Sequence, residues 1–301
     1  MIAVLPGLYL GGVSDVADVQ QLQQAGITHI LTIDSIEQNH LQHSFQTKFV
    51  NILDDSSADL LSRLPECLQF LKEALGKPES SVFVHCQAGV SRSAAVVAAY
   101  MMNTIRCTFE DVYGRLQNIK PDIKINEEFV HQLALFEQMG CDVDMSSASY
   151  KQYRLQKVTE KYPELRNIPR EVFALDPGSS DQTKEVLFRC RKCRRSLFRE
   201  GSILNHALGA GPAAFVNKRL MPVQHSDSTK CTSFFVEPVQ WMEKSLLGVL
   251  DGQLLCPKCN SKLGSFNWYG EQCSCGRWIT PAFQVHKNRV DEVKPVPIHG
   301  R

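Results

Sequence analysis

Residues 82–93 read VFVHCQAGVSRS, and the apolar run AAVVAAYMM follows at 94–102. β-Branched and aromatic residues end in a cysteine, small residues follow, and Arg-Ser opens the next run. That order predicts a buried strand, a tight loop and a helix. In such a unit successive loop N–H groups converge on one point, and the helix N-terminus adds its positive end. A dianionic phosphate fits there. The loop backbone of Gln87, Ala88, Gly89, Val90 and Ser91 would face it, and Arg92 can reach two phosphate oxygens with its fork of donors. The same field favours Cys86 as the thiolate, and a thiolate inside a phosphate cradle is a nucleophile for phosphorus. Ser93, or Ser91, can donate a hydrogen bond to the sulfur when it becomes the leaving group.

Working outward, strand and helix signals alternate. Ser14 is read as the cap of a helix running through Gln24, with Gly26 as its stop. The β-branched segment 27–33 and the segment 48–52 read as strands. Residues 60–75 carry apolar positions at helical spacing, and Gly76 and Pro78 end the run. Helices are expected over 92–103, from a Thr108 cap through Ile119, and over 126–139. Strands alternating with helices predict an α/β domain, a sheet flanked by helices. The division expected is a catalytic domain over 1–140, a linker with a short helix over 141–185, and a small zinc-binding domain over 186–301.

The chain has 301 residues, enough for about two domains, and 43% apolar with 22% charged residues is the balance of a soluble globular protein. No stretch near the cysteine motif is long enough to span a bilayer, and no basic, cleavable leader is seen at the start, so neither a membrane nor secretion is expected. Eleven cysteines in such a chain suit metal binding and catalysis better than disulfides. A net charge of +1 hides an asymmetry: residues 1–140 carry −7 and residues 141–301 carry +8. The two halves therefore look like modules with different partners.

The second half holds paired cysteines. Cys190 and Cys193 stand at C-x2-C, as do Cys256 and Cys259, and Cys273 and Cys275 stand at C-x-C. Cys256, Cys259, Cys273 and Cys275 form a complete set of four within twenty residues, read as a structural zinc site. The first pair needs two further ligands. Cys231 is the remaining cysteine of this half, and His206 is the leading fourth candidate, with His225 and His286 as competitors. Spacing leaves interleaved pairing between the two sets open. Four protein ligands leave no open position for water, so both zincs are read as structural. Cys67, Cys107 and Cys141 are expected to be packing or surface thiols. Residues 189–219 hold eight Lys/Arg and one acid, Glu200, a pattern suited to a phosphate backbone. Trp241, Trp268, Tyr269 and Trp278 are candidates for stacking on bases, although packing in a small core is the commoner role.

His85-Cys86, Arg92 and Ser93 match the signature of cysteine-dependent protein tyrosine phosphatases. VLPGLYLGG at 4–12 and HCQAGVSRSAAVVAAYMM at 85–102 resemble the dual-specificity branch. With FRCRKCRRSLF, FFVEPVQWM at 234–242 and the stretch 255–291, the chain is similar to the dual-specificity phosphatase 12 type. The resemblance implies a general acid on a loop about thirty residues before the cysteine. Asp54 is the choice and Asp55 the alternative, while Asp59 is read as a helix cap and Asp34 as a structural turn residue. Asn126 resembles the family's asparagine that buttresses the phosphate loop, or is a simple N-cap. His85 would orient the loop and tune Cys86. Hydrolysis would proceed through a phosphocysteine on phosphotyrosine and phosphoserine/threonine proteins, with no metal needed for catalysis. The resemblance also implies late assembly of the large ribosomal subunit, a zinc domain engaging pre-60S particles or RNA, and a cytoplasmic and nuclear distribution. A chiefly ribosome-assembly factor with secondary phosphatase activity is the alternative, and a monomer is expected.

Overall fold

The structure, a computed structural model, describes residues 1–178, 185–207, 209 and 231–295. Its contacts divide the chain into two units, Met1–Asp144 and Met145–Arg301.

The first unit is built on a five-stranded sheet of order β1-β2-β5-β3-β4. Its strands are β1 (Ile2–Leu5), β2 (Leu8–Gly12), β3 (His29–Asp34), β4 (Gln46–Asn51) and β5 (Val82–Cys86). β1 runs antiparallel to β2, and the other pairings are parallel. β3 and β5 are buried at every residue, as strands covered on both faces must be. Helices α1 (Val13–Val16), α2 (Val19–Gln24), α3 (Leu64–Leu75), α4 (Arg92–Ile105), α5 (Phe109–Ile119) and α6 (Glu127–Gln138) complete the unit. α4 is buried from Arg92 through Asn103, which is why residues 94–102 read as apolar all round rather than amphipathic.

Local chemistry sets the boundaries. Thr108 and Asn126 cap α5 and α6, accepting from the N–H groups of Asp111 and Phe129. The expected single helix from Ser14 to Gln24 is instead two short ones. Asp18 accepts from the Gln21 N–H at 2.9 Å and starts α2 afresh, so the carboxylate outcompetes the serine as a cap. Residues 61–63 form a 3-10 turn before α3, whose first turn carries Pro65.

In the second unit, helix α7 (Ala148–Lys161) precedes β6 (Leu187–Cys190), β7 (Ser196–Arg199) and β8 (Ser233–Phe235). Short helix α8 (Glu243–Leu246) then leads to β9 (Asp251–Leu255), β10 (Lys262–Asn267), β11 (Glu271–Gln272), β12 (Trp278–Ile279), β13 (Ala282–His286) and β14 (Val290–Val293). The strands make a four-stranded sheet β8-β13-β10-β9, a three-stranded sheet β14-β6-β7 and the ribbon β11-β12. Here the reading of 141–185 as a linker is corrected for residues 148–173, while 179–184 lie outside the described residues. α7 has 14 residues, and Leu155, Val158, Leu165, Ile168, Val172 and Phe173 share one apolar cluster with Phe198, Trp268 and Phe283. These small sheets cannot cover their own apolar faces, so the polar-looking segment supplies the missing layer. No helix among the described residues is long and apolar enough to cross a membrane.

Candidate functional site

The four parallel strands end on one edge, where open α/β sheets place their sites. β5 delivers Cys86 there, β2 delivers Gly11 and Gly12, β3 delivers Asp34, and the chain leaving β4 delivers Ile52 and Asp54. Loop 87–91 then turns into α4. Its carbonyls point outward: Gln87 O accepts from Val13 N at 3.1 Å and Val90 O accepts from Lys124 N at 3.0 Å. Gly89 N–H turns inward and donates to Cys86 Sγ at 3.3 Å. Gly89 has φ +72°, and a Cβ there would lie 2.4 Å from the Gly11 carbonyl carbon. On the other side, a Cβ at Gly12 would meet Ala88 backbone at 3.1 Å. The glycines of LYLGG and of the loop therefore permit one close backbone approach.

Cys86 is buried, and Ser93 Oγ lies 3.2 Å from its sulfur. Ser91 does not cap α4 with its side chain. The first-turn N–H groups are thus left facing the loop, where they favour an anion. Ser91 Oγ instead donates to Asp54 Oδ1 at 2.8 Å, and Asn126 Nδ2 donates to the same oxygen at 2.5 Å. Asn126 also caps α6 through Oδ1 and donates its backbone N–H to Ser91 Oγ at 3.2 Å. The cap reading of Asn126 is what its Oδ1 performs; its contact with the phosphate loop is made by the backbone N–H on Ser91, while the side-chain Nδ2 reaches Asp54 and not the loop. The other oxygen of Asp54 lies 3.8 Å from Arg92 Nε.

His85 Nε2 is hydrogen-bonded to Thr32 Oγ1 at 2.8 Å, across the β3–β5 register that sets the two residues side by side. Burial pushes the His85 pKa down to about 4, against smaller opposing effects from the Cys86 backbone and from Asp34 and Asp15. The ring is therefore neutral near pH 7.

The remaining carboxylates separate by role. Asp55 accepts from the N–H and hydroxyl of Ser57, closing a local turn. Asp59 accepts from Ser62 N at 3.0 Å, as a helix-start residue does. Asp34 differs from its reading as a turn residue alone: besides Ser35 N, it receives Arg92 Nη1 at 2.7 Å. Sequence reasoning missed this pairing and that of Thr32. A carboxylate ending a strand beside the cysteine strand was the available signal.

Two further groups lie in the second unit. Cys190, Cys193, Cys256 and Cys259 form one, and His206, Cys231, Cys273 and Cys275 the other, each with its ligand atoms within 4.8 Å of one another. All eight expected residues are brought together, but the grouping is interleaved, which corrects the local set 256–259–273–275. The physical reason is that a short Cys spacing builds only half a site. Arg194 N returns to Cys190 O at 2.8 Å, Asn260 N to Cys256 O at 2.9 Å and Gly276 N to Cys273 O at 2.8 Å. Each returning residue has positive φ; the two C-x2-C pairs make the same turn, closed four residues on, and the C-x-C pair a tighter one, closed three residues on. Such turns meet across sheets, not along the chain.

The donor sets fit zinc. Tetrahedral thiolates at ~2.3 Å from the ion stand roughly 3.8 Å apart. Cys190 and Cys259 sulfurs are 3.8 Å apart, and those of Cys193 and Cys256 are 3.5 Å apart. His206 Nε2 lies 3.5 Å from the Cys231 sulfur and 3.4 Å from that of Cys275. His286 bonds Ser233 instead, and His225 lies outside the described residues. Of the thiols outside these sets, Cys67 and Cys141 are buried and Cys107 is half-buried.

The basic run is less bare than its sequence suggests. Arg191 and Arg194 both pair with Asp291, Arg195 with Asp176 and Arg199 with Glu185; Lys218 and Arg219 lie outside the described residues. The aromatic candidates divide. Trp268 is core and Trp241 is half-buried with its N–H on Leu197 O, while Tyr269 and Trp278 are each 61% exposed.

Comparison with known proteins agrees with this geometry. Residues 8–139 match the family described as dual specificity phosphatase, catalytic domain. Dual specificity protein phosphatase 12 of Rattus norvegicus is 58% identical over 99% of this chain and 90% of its own length. The Homo sapiens protein of the same name is 56% identical over 100% and 91%. Tyrosine-protein phosphatase YVH1 of Saccharomyces cerevisiae is 31% identical over 96% and 90%.

Proposed function

The chain belongs to the dual specificity protein phosphatase 12 family, and on that premise we propose a residue-level mechanism for its phosphatase activity and a role for its second unit. Cys86 attacks phosphorus as the thiolate, stabilised by the Gly89 N–H, the Ser93 hydroxyl and the start of α4. Asp54 protonates the departing oxygen. Its Oδ1 already accepts two hydrogen bonds, so Oδ2 carries the proton. The phosphocysteine is then cleaved by water, with Asp54 as base and Ser93 donating to the leaving sulfur. Loop N–H groups and Arg92 hold the equatorial oxygens, over which transition-state charge is spread. The observation that carries this reading is a buried cysteine sulfur facing an inward loop N–H at a 14-residue helix start, with Arg92 and Asp54 beside it. Cys86→Ser should abolish hydrolysis of an aryl phosphate while leaving the fold intact. Appreciable turnover by the folded variant would overturn the assignment.

The two sulfur-rich groups hold structural zinc ions in this reading, and the second unit directs the enzyme to pre-60S particles or RNA. Support comes from the +8 charge of residues 141–301 and from exposed Tyr269 and Trp278. The paired arginines at 191–199 contribute less than their number suggests. The full chain should co-sediment with large-subunit particles near physiological salt in the presence of competitor RNA. Its loss there, with binding seen only at low salt, would reduce the association to charge.

A further inference from the structure

Arg92 is held along one side of its guanidinium. Nη1 donates to Asp34 Oδ1 at 2.7 Å and to the Ile52 carbonyl at 3.3 Å. Nε, on the opposite side, is buried and has no hydrogen-bond partner. A buried N–H left unpaired is costly, so a built site is expected to supply its acceptor. Nε and Nη2 form the side-on fork of the guanidinium, the edge that matches two oxygens of a tetrahedral anion. Asp54 Oδ2 lies 3.8 Å from Nε, beyond hydrogen-bond distance, and in the mechanism above, on which this inference rests, phosphoryl oxygens supply the acceptors for that edge.

Asp34 is itself fixed. Ser35 N donates to its Oδ1 at 2.8 Å, Ile52 N donates to its carbonyl at 3.2 Å, and it pairs in register with Asn51 across β3–β4. Asp34 and Arg92 are both more than nine-tenths buried, so the pair is shielded from competing water. The Nη1 contacts thus come from the ends of two adjacent strands, β3 and β4, whose relative register is set by the sheet.

We propose that Asp34 is a positioning residue for phosphoryl transfer: with the Ile52 carbonyl it clamps the Nη1 side of Arg92 and presents the Nε–Nη2 edge to two phosphoryl oxygens. Asp34 acts through Arg92 and does not touch substrate. Removing it leaves the guanidinium free to rotate off the productive orientation.

A double-mutant cycle on the full chain tests this, with kcat/KM for an aryl phosphate as readout. Asp34→Ala should lower kcat/KM by ~10–100-fold, mainly in kcat, the cost of a misplaced catalytic fork. Asp34→Asn keeps an acceptor for Nη1 and should recover to within about fivefold of wild type. In an Arg92→Lys background, which has no fork to aim, Asp34→Ala should cost less than about twofold. An equal loss in both backgrounds would mean that Asp34 only supports the strand end, and wild-type rates in Asp34→Ala would mean that the clamp is idle. Thermal melts of each variant separate misfolding from misaiming. Failure of the underlying site reading would show separately, as turnover that survives Cys86→Ser.

Discussion

The phosphate loop and the two cysteine-rich groups solve the same problem, holding several donors around one small ion, by opposite means. In the first unit one contiguous segment, 85–93, supplies most of the cradle, and backbone N–H groups do the work once β5 and α4 are packed. In the second, each group joins residues far apart: 69 positions separate Cys190 from Cys259, and 69 separate His206 from Cys275. A site made of backbone is a product of the fold. A site made of distant thiolates would, with metal bound, add its own cross-links to the apolar cluster that already joins those short strands and turns.

The contrast breaks most visibly at the metals. Structural zinc contributes an apparent ~10–16 kcal/mol in small domains. Cys256→Ser should therefore release one of two zinc ions and unfold much of the second unit, while aryl phosphatase activity stays close to wild type. Elemental analysis beside an activity assay decides it; a folded second unit with one ion fewer would show that packing, not metal, holds it together.

A smaller effect sharpens the other side. Asp54→Ala should slow turnover by ~10²–10⁴ for a poor leaving group and far less for a good one. Asp55→Ala should do little, because its carboxylate closes a turn with Ser57. A large leaving-group-dependent loss at Asp55 would move the acid by one residue.

The smallest effect is a pH dependence confined to the first unit. Burial lowers the His85 pKa to about 4 in the folded chain, against about 6.5 for an ordinary histidine. The unfolded chain then binds the extra proton, so stability is fully present above pH 6.5 and falls as pH drops toward 4, by about 3 kcal/mol. Amide exchange in α4 reports this unit alone. The acid loss should shrink in His85→Gln; a flat profile from pH 7 to 4.5 in the wild type would contradict the buried, neutral ring.

What could be read from the sequence follows the same division. The strand–loop–helix around Cys86 was legible because all its chemistry is local. Asp54 came into view only through the resemblance, which implies an acid about thirty residues before the cysteine. The role of Asp34 was not legible, since its partner lies 58 residues on and only the order of parallel strands brings the two together. Six of the eight candidate metal ligands were legible as short pairs, and His206 and Cys231 only as what was left to complete a set; the grouping was not legible, because spacing describes each tight turn and is silent on which turns meet. α7 looked like linker because Lys, Arg, Gln and Glu fill its exposed face. Its burial depends on sheets that only the folded second unit provides.

Interleaving also imposes an order in time. As the chain leaves the ribosome, Cys190 and Cys193 emerge first, then His206 and Cys231, and neither group can close until the last stretch, 256–275, has followed. At ~5–20 residues per second the first pair waits roughly 3–14 s for its partners. The first unit, complete by Asp144, can fold during that wait. A chain stopped between residues 231 and 256 would carry an intact first unit and two half-sites that can never close, so termination there would separate the catalytic unit from its partner unit without touching the cysteine loop.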